Sequence, residues 1–171
     1  MDRLANLLNA AATAITDAQA ASIAIEAGLN HSTTATILTL GQHPGLSLSQ
    51  LSGIVGLSHS AAVRLVDGLT AKGLAMRGDG QDRREVAVSL TVAGRALYTR
   101  LRQVQGNTLM PLLEQIAPAD RASLERALSR ILGALTQGRE SADHICRYCD
   151  ENACAQKDCP VELRAIALSA G

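Results

Sequence analysis

Between Ser58 and Gly94 the chain passes through a helix-length segment, a short alternating stretch, a basic stretch, a second alternating stretch and a new helix start. That order leaves few folds open. In the first segment Ala62, Val66 and Leu69 recur at helical spacing on one face, while Ser60, Arg64, Asp67 and Ala71 take the other. The Ser58 side chain suits the N-cap, and Gly73 suits the end of the helix. Leu74 to Arg77 then alternates, Gly78-Asp79-Gly80 makes a turn, and Val86, Val88 and Leu90 form the returning strand. Thr91 is the cap of the next helix. A helix with a free polar face, set beside a hairpin carrying Arg83 and Arg84, is how a winged helix-turn-helix grips DNA in two grooves.

The rest of the chain is read as helical. Tyr98 and Tyr148 are its aromatic residues, so a core drawn from 47% hydrophobic residues must be aliphatic. Leu4, Leu7, Leu8, Ala11, Ile15 and Ala18 mark a long Ala-rich helix ending near Gly28. Thr33 to Leu40 forms a shorter one, stopped by Gly41 and Pro44. Ser47 and Gln50 make a capping box for a helix through Val55, with Gly56 and Leu57 as the turn. Beyond Thr91, Leu97, Leu101, Val104, Leu112 and Ile116 share a stripe, with a kink or break expected at Pro111. Pro118 opens a further helix, in which Leu124, Leu128, Ile131, Leu132 and Leu135 form an apolar face. Terminal helices with so much apolar surface predict a two-fold dimer. The fold expected is mainly α, a winged helix-turn-helix with a small β-hairpin wing and long N- and C-terminal dimerisation helices. Its divisions are a dimerisation helix in 1–30, a DNA-binding domain in 31–91, dimerisation helices in 92–138 and a Cys-rich metal-binding tail in 139–171.

A net charge of zero argues against a nucleic-acid binder, because such binding draws on displaced counterions. The distribution argues for one. From Ser58 to Arg102 the basic residues are Arg64, Lys72, Arg77, Arg83, Arg84, Arg95, Arg100 and Arg102, against Asp67, Asp79, Asp82 and Glu85. No apolar run is long enough to span a membrane. Leu7 to Ile15 is broken by Asn9 and Thr13, which argues against a signal peptide, and a cytoplasmic location is expected. With no Ser/His/Asp or Cys/His constellation, an enzyme is not expected.

The order of elements resembles the MarR family of winged-helix transcriptional regulators. The residues that carry the resemblance are Leu48-Ser49-Gln50-Leu51, Leu57-Ser58-His59-Ser60, Arg64 to Leu69, Lys72-Gly73-Leu74, Asp82-Arg83-Arg84 and Leu90-Thr91-Val92-Ala93-Gly94. Pro111-Leu112-Leu113 and Pro118-Ala119-Asp120 extend it, so that it covers about Leu4 to Leu135. The resemblance implies a homodimer on double-stranded DNA, with the helix from Ser58 in the major groove and the wing in the flanking minor groove. It implies base and phosphate contacts from Ser58, His59, Ser60 and Arg64. It also implies that Arg84 enters the minor groove, with Asp82 orienting it and Arg83 assisting. A small effector, frequently aromatic and anionic, is a further implied partner, and His31 and Arg100 are polar groups for its pocket.

All four cysteines lie at the C-terminus, as Cys146-x2-Cys149-x4-Cys154-x4-Cys159 followed by Pro160. Four thiolates so spaced can wrap one tetrahedral zinc ion. An iron-sulfur cluster takes the same ligands, and disulfides or reduced thiols are the metal-free alternatives. Either metal centre would be anionic, and Arg147, Lys157 and a solvated His144 are placed to offset the charge. The function expected is a repressor that leaves a pseudo-palindromic operator when a ligand, metal or redox change moves its reading heads. Set against it are a small redox protein on a winged-helix scaffold and an adaptor that has lost DNA binding.

Overall fold

The computed structural model describes residues 2–80 and 86–170. Helix α1 (Arg3–Ala27) ends where Gly28 takes φ +62° and its N–H reaches the Ala24 carbonyl. That left-handed conformation is open to glycine at little cost. Helix α2 (His31–Gln42) starts from Asn30, whose side chain accepts the Thr33 N–H at 2.9 Å. It buries every residue from Thr34 to Leu40. It also runs through Gly41, which was expected to stop it. A Cβ there would lie 2.2 Å from the Tyr98 ring, so Gly41 marks a close helix–ring contact and not a terminus.

Strand β1 (Leu46–Ser47) precedes α3 (Leu48–Val55), and the capping box of Ser47 and Gln50 is formed in both directions. After Gly56 the chain enters α4 (His59–Ala71), with the Ser58 hydroxyl accepting the Ala61 N–H. Strands β2 (Ala75–Asp79) and β3 (Val86–Leu90) complete an antiparallel sheet in the order β1-β3-β2. Gly78 and Asp79 pair with Ala87 and Val86, so β2 continues where a turn was expected. The two-residue β1 was not foreseen.

Thr91 caps α5 (Val92–Glu114), which continues unbroken through Pro111. No break occurs at Pro111: the helix forgoes the bond from residue 111 to the Asn107 carbonyl and ends three residues later at Glu114. Pro118 begins α6 (Pro118–Leu135), as its fixed φ favours. The C-terminal segment is more ordered than a tail, with α7 (Arg139–Cys146), a 3-10 turn at Gln156–Asp158 and α8 (Pro160–Ser169).

The main core joins α2, α3, α4, the sheet and α5 through Ile37, Leu38, Leu40, Leu51, Val66, Val88, Leu90 and Leu101, all buried. Helix α1 packs along α5 and adds Ile23. A second, small core of Ala142, Val161 and Ala165 joins α7 to α8. Helix α6 buries no residue of its own, and Leu128 and Leu135 on it are exposed, as are Leu4, Leu7 and Leu8 on α1. Among the described residues no helix is long and apolar enough to cross a membrane.

Candidate nucleic-acid interface and cysteine segment

Helix α4 is amphipathic in the sense the sequence predicted. Ala62, Val66 and Leu69 are buried, and Ser58, His59, Ser60, Arg64 and Asp67 are exposed. The Ser58 and Ser60 hydroxyls lie 3.3 Å apart at its N-terminus, where the unpaired N–H groups and the helix dipole favour a phosphate. Asp67 does not stand free. It accepts from Arg77 on β2 at 2.9 Å, which ties the reading helix to the hairpin. Sequence reasoning missed this pair, because the two residues sit on different elements. Asp82, Arg83 and Arg84, the expected wing residues, lie outside the described residues.

Thr91 locks the hairpin to α5. Its hydroxyl donates to the Gly73 carbonyl at 2.6 Å and accepts the Gly94 N–H at 3.1 Å, while its own N–H donates to the Leu74 carbonyl at 3.1 Å. The Arg95 guanidinium adds a bond to the Leu90 carbonyl at 2.6 Å. The hairpin therefore moves with α4 and α5 as one unit.

The cysteine segment folds back on this unit. His144 on α7 is hydrogen-bonded through Nδ1 to the Ile54 carbonyl of α3 at 2.9 Å, so it is half-buried where a solvated residue was expected. Tyr148 donates its hydroxyl to the His31 carbonyl at 2.8 Å and stacks on the His31 ring at 4.8 Å. His31 is thus already engaged. Gln42 accepts the Glu151 N–H at 2.9 Å, and the Glu151 carboxylate meets His43 at 2.8 Å. From α5, Arg102 donates to the Tyr148 carbonyl at 2.9 Å and also to the Cys149 carbonyl. Arg147 lies along the Tyr148 ring and bonds the His144 carbonyl.

All four cysteines are free thiols, and all four line one cleft of about 650 Å³ whose far wall is Ser49, Gln50, Gly53 and Ile54 of α3. Cys146 ends α7 and Cys159 caps α8, and both pack against the small core. Hydrogen bonding with Cys149, then burial, raises the Cys146 thiol far above the usual range. The same bond, helped by the Arg102 guanidinium and opposed by burial, lowers Cys149 to about 7. Burial and then hydrogen bonding with Cys159 push Cys154 up to about 11. Among the described residues no group of three or more His, Cys, Asp and Glu side chains stands ready-made to hold a metal ion.

The sequence model of the MarR family matches residues 27–85, the stretch from the end of α1 into the hairpin. Over that stretch the winged helix resembles the MarR family. The structure is similar to RV1404 from Mycobacterium tuberculosis, with 28% identity, coverage of 78% of this chain and 95% of that one, and a TM-score of 0.65. It shares its fold with Streptococcus pneumoniae FabT solved in complex with DNA, at 17% identity, coverage of 75% and 92%, and a TM-score of 0.67. It also shares it with MepR, a transcription regulator of the Staphylococcus aureus multidrug efflux pump MepA, at 16% identity, coverage of 77% and 97%, and a TM-score of 0.66. No curated protein matches the chain.

These neighbours are covered almost end to end, whereas about a fifth of this chain has no counterpart in RV1404. Arg102 was counted in the sequence only as part of a basic excess. Its role in holding the cysteine segment had no local signal, because its partners lie 46 and 47 residues away. Arg100, the other polar group considered for an effector pocket, lines a separate cavity of about 370 Å³ with Ser22, Glu26 and Thr108.

Proposed function

We propose that this chain is a MarR-family DNA-binding transcriptional regulator that acts as a homodimer on a pseudo-palindromic operator, as a repressor. The observation that carries the reading is the exposed polar face of α4, held by the Asp67–Arg77 pair beside strands β2 and β3, between which the sequence carries the basic Arg83-Arg84 stretch. Ser58, His59, Ser60 and Arg64 are the major-groove contacts. Arg84 is the minor-groove residue, with Asp82 and Arg83 beside it, because a narrow minor groove concentrates negative potential that a guanidinium can enter. The FabT structure with DNA supports this use of the fold.

The homodimer covers α1 and α6. Leu4 is 71% exposed and Leu135 60% exposed, and no residue of α6 is fully buried within its own chain, so these faces need a partner. A second copy offers the same apolar surface under two-fold symmetry, which places the half-sites about one helical turn, ~34 Å, apart. Release of the operator follows a small ligand or a change at the cysteine segment, which touches the reading head directly through His144 and Ile54.

The test is selection of duplexes from a random pool by the wild-type protein, followed by affinity measurements on the selected site. Arg84→Ala is expected to weaken binding by ~1–3 kcal/mol, and Arg64→Ala to lower the slope of affinity against salt by ~1, with sedimentation still giving a dimer. Wild-type affinity in the Arg84 variant removes the minor-groove role. Failure to select any sequence removes the regulator reading itself.

A further inference from the structure

We infer that Cys146, Cys149, Cys154 and Cys159 bind one zinc ion as a tetrathiolate, and that the zinc-loaded segment is a strap fastening the first helices of the reading head to α5. The inference rests on the regulator reading only for its consequence, a change in operator affinity; the site is read without DNA.

The first ground is convergence. The four thiols line one cleft, although they come from the end of α7, two turns and the cap of α8. Two of them are anchored, because Cys146 and Cys159 pack against the Ala142, Val161 and Ala165 core. Beyond Glu151 the linker between α7 and α8 makes only local hydrogen bonds among the described residues. Cys149 and Cys154 are exposed, and its regular structure is a single 3-10 turn. A segment that buries so little apolar surface lacks a packing source of order, and a structural metal supplies one directly.

The second ground is polar groups left without partners. Among the described residues the buried side-chain atoms lacking a hydrogen bond are Thr39 Oγ1, Arg102 Nε and Arg147 Nε. Thr39 and Arg147 line this cleft, and Arg102 holds the Cys149 carbonyl. Four thiolates around one zinc carry a net charge of −2, and guanidinium N–H groups beside them supply the outer-shell donors such a centre needs. The four protons leave to solvent as the metal enters.

The third ground selects zinc. Cys146 and Cys149 stand on one turn, closed by the Cys149 N–H on the Cys146 carbonyl at 2.8 Å, and Cys154 and Cys159 flank the 3-10 turn Gln156–Asp158. Sulfurs sharing one tetrahedral zinc lie ~3.8 Å apart, given a Zn–S bond of ~2.3 Å. Each pair therefore has only to close on the other. Ligands of an iron-sulfur cluster sit on different irons and must stand further apart.

The strap follows from what the segment touches. It meets α3 through His144, α2 through Glu151 and Tyr148, and α5 through Arg102. Full-length protein purified under reducing conditions without chelator is expected to contain one zinc per chain by elemental analysis. Replacement by cobalt(II) is expected to give the thiolate-to-metal charge-transfer band of a tetrahedral sulfur site. Cys149→Ser is expected to lower zinc content at least tenfold after dialysis. Iron with acid-labile sulfide, no metal, or undiminished zinc in that variant overturns the site. For the strap, zinc removal from the wild type is expected to speed amide exchange in α3 at least tenfold, and unchanged exchange there overturns it. Neither readout involves DNA, so a failure to bind operator counts against the regulator reading alone.

Discussion

Replacing Gly94 by Ala tests the joint between hairpin and long helix. Gly94 is buried in the first turn of α5, and a Cβ built on it lies 1.9 Å from the Leu74 carbonyl oxygen, 3.0 Å from the Leu74 carbonyl carbon and 3.1 Å from the Leu90 Cβ. The obstacle is backbone and cannot swing aside. That same carbonyl accepts the Thr91 N–H, so pushing it away also breaks the bond that seats the helix cap. In an open helix the change from Gly to Ala stabilises by ~1 kcal/mol. Here overpacking costs ~1–3 kcal/mol, and more against rigid backbone. Loss of the Thr91 bond adds ~1 kcal/mol. The net expectation is a loss of ~1–3 kcal/mol, or a fall in Tm of ~2–12 °C for a chain of this size. Gly68 on α4 is the control, since a Cβ there meets nothing within 4 Å; Gly68→Ala is expected to gain ~0.5–1 kcal/mol. Urea unfolding of both variants at one fixed protein concentration measures the difference, because dimer stability depends on concentration. If Gly94→Ala is as stable as Gly68→Ala, the packing argument is refuted.

Two further outcomes are expected. Ser47→Ala removes the hydroxyl that accepts the Gln50 N–H in the α3 capping box, and should lower stability by ~1 kcal/mol with an unchanged denaturant m-value; an unchanged urea midpoint would mean the box contributes nothing. Burial first, then the charges of Arg147 and His144, hold His31 below its usual 6.5. Unfolded chains therefore take up a proton at His31 that the folded protein refuses, and stability falls as pH drops below about 6.5 and is unaffected by His31 above it. His31→Asn should flatten that acid limb in thermal melts, and an identical limb in both proteins would contradict it.

The reading head was legible because its signals are local. Ser47 with Gln50, Ser58, Thr91 and Pro118 each announce a helix start within a few residues, and each stands at one. The misreadings came where a long-range contact overrode a local rule. Gly41 looked like a stop, but its missing side chain makes room for Tyr98, 57 positions on. Gly78 looked like a turn, but pairing with Ala87 carries the strand past it. Strand β1 is only Leu46–Ser47, too short to show alternation, and exists through its register with Val88 and Ala87. In the C-terminal segment Pro160 was read beside Cys159 as part of a metal motif, while its place at the first position of a helix went unused. The clustering of the cysteines was legible. What they lean on was not, because His144 and Ile54 are 90 residues apart.

That last contact closes a loop in the architecture. Helix α5 leads covalently from the wing towards the apolar helices assigned to the dimer. A second route runs through contacts alone, from α6 to α8, α8 to α7, and α7 to α3 of the reading head. The first two links are partly apolar, through Leu132, Val161, Ala165 and Ala142, and non-directional burial tolerates small sliding. The last is polar, with His144 Nδ1 set 2.9 Å from one carbonyl, and hydrogen bonds weaken steeply with distance and angle. A cycle of this kind is only as stiff as its most geometry-dependent link. The cysteines sit beside that link, since Cys146 is two residues from His144 on the same helix end. A change of state at the thiols therefore acts first on the contact between α7 and α3. In the proposed two-fold dimer both reading heads would shift together, which would alter the half-site spacing of the proposed operator complex.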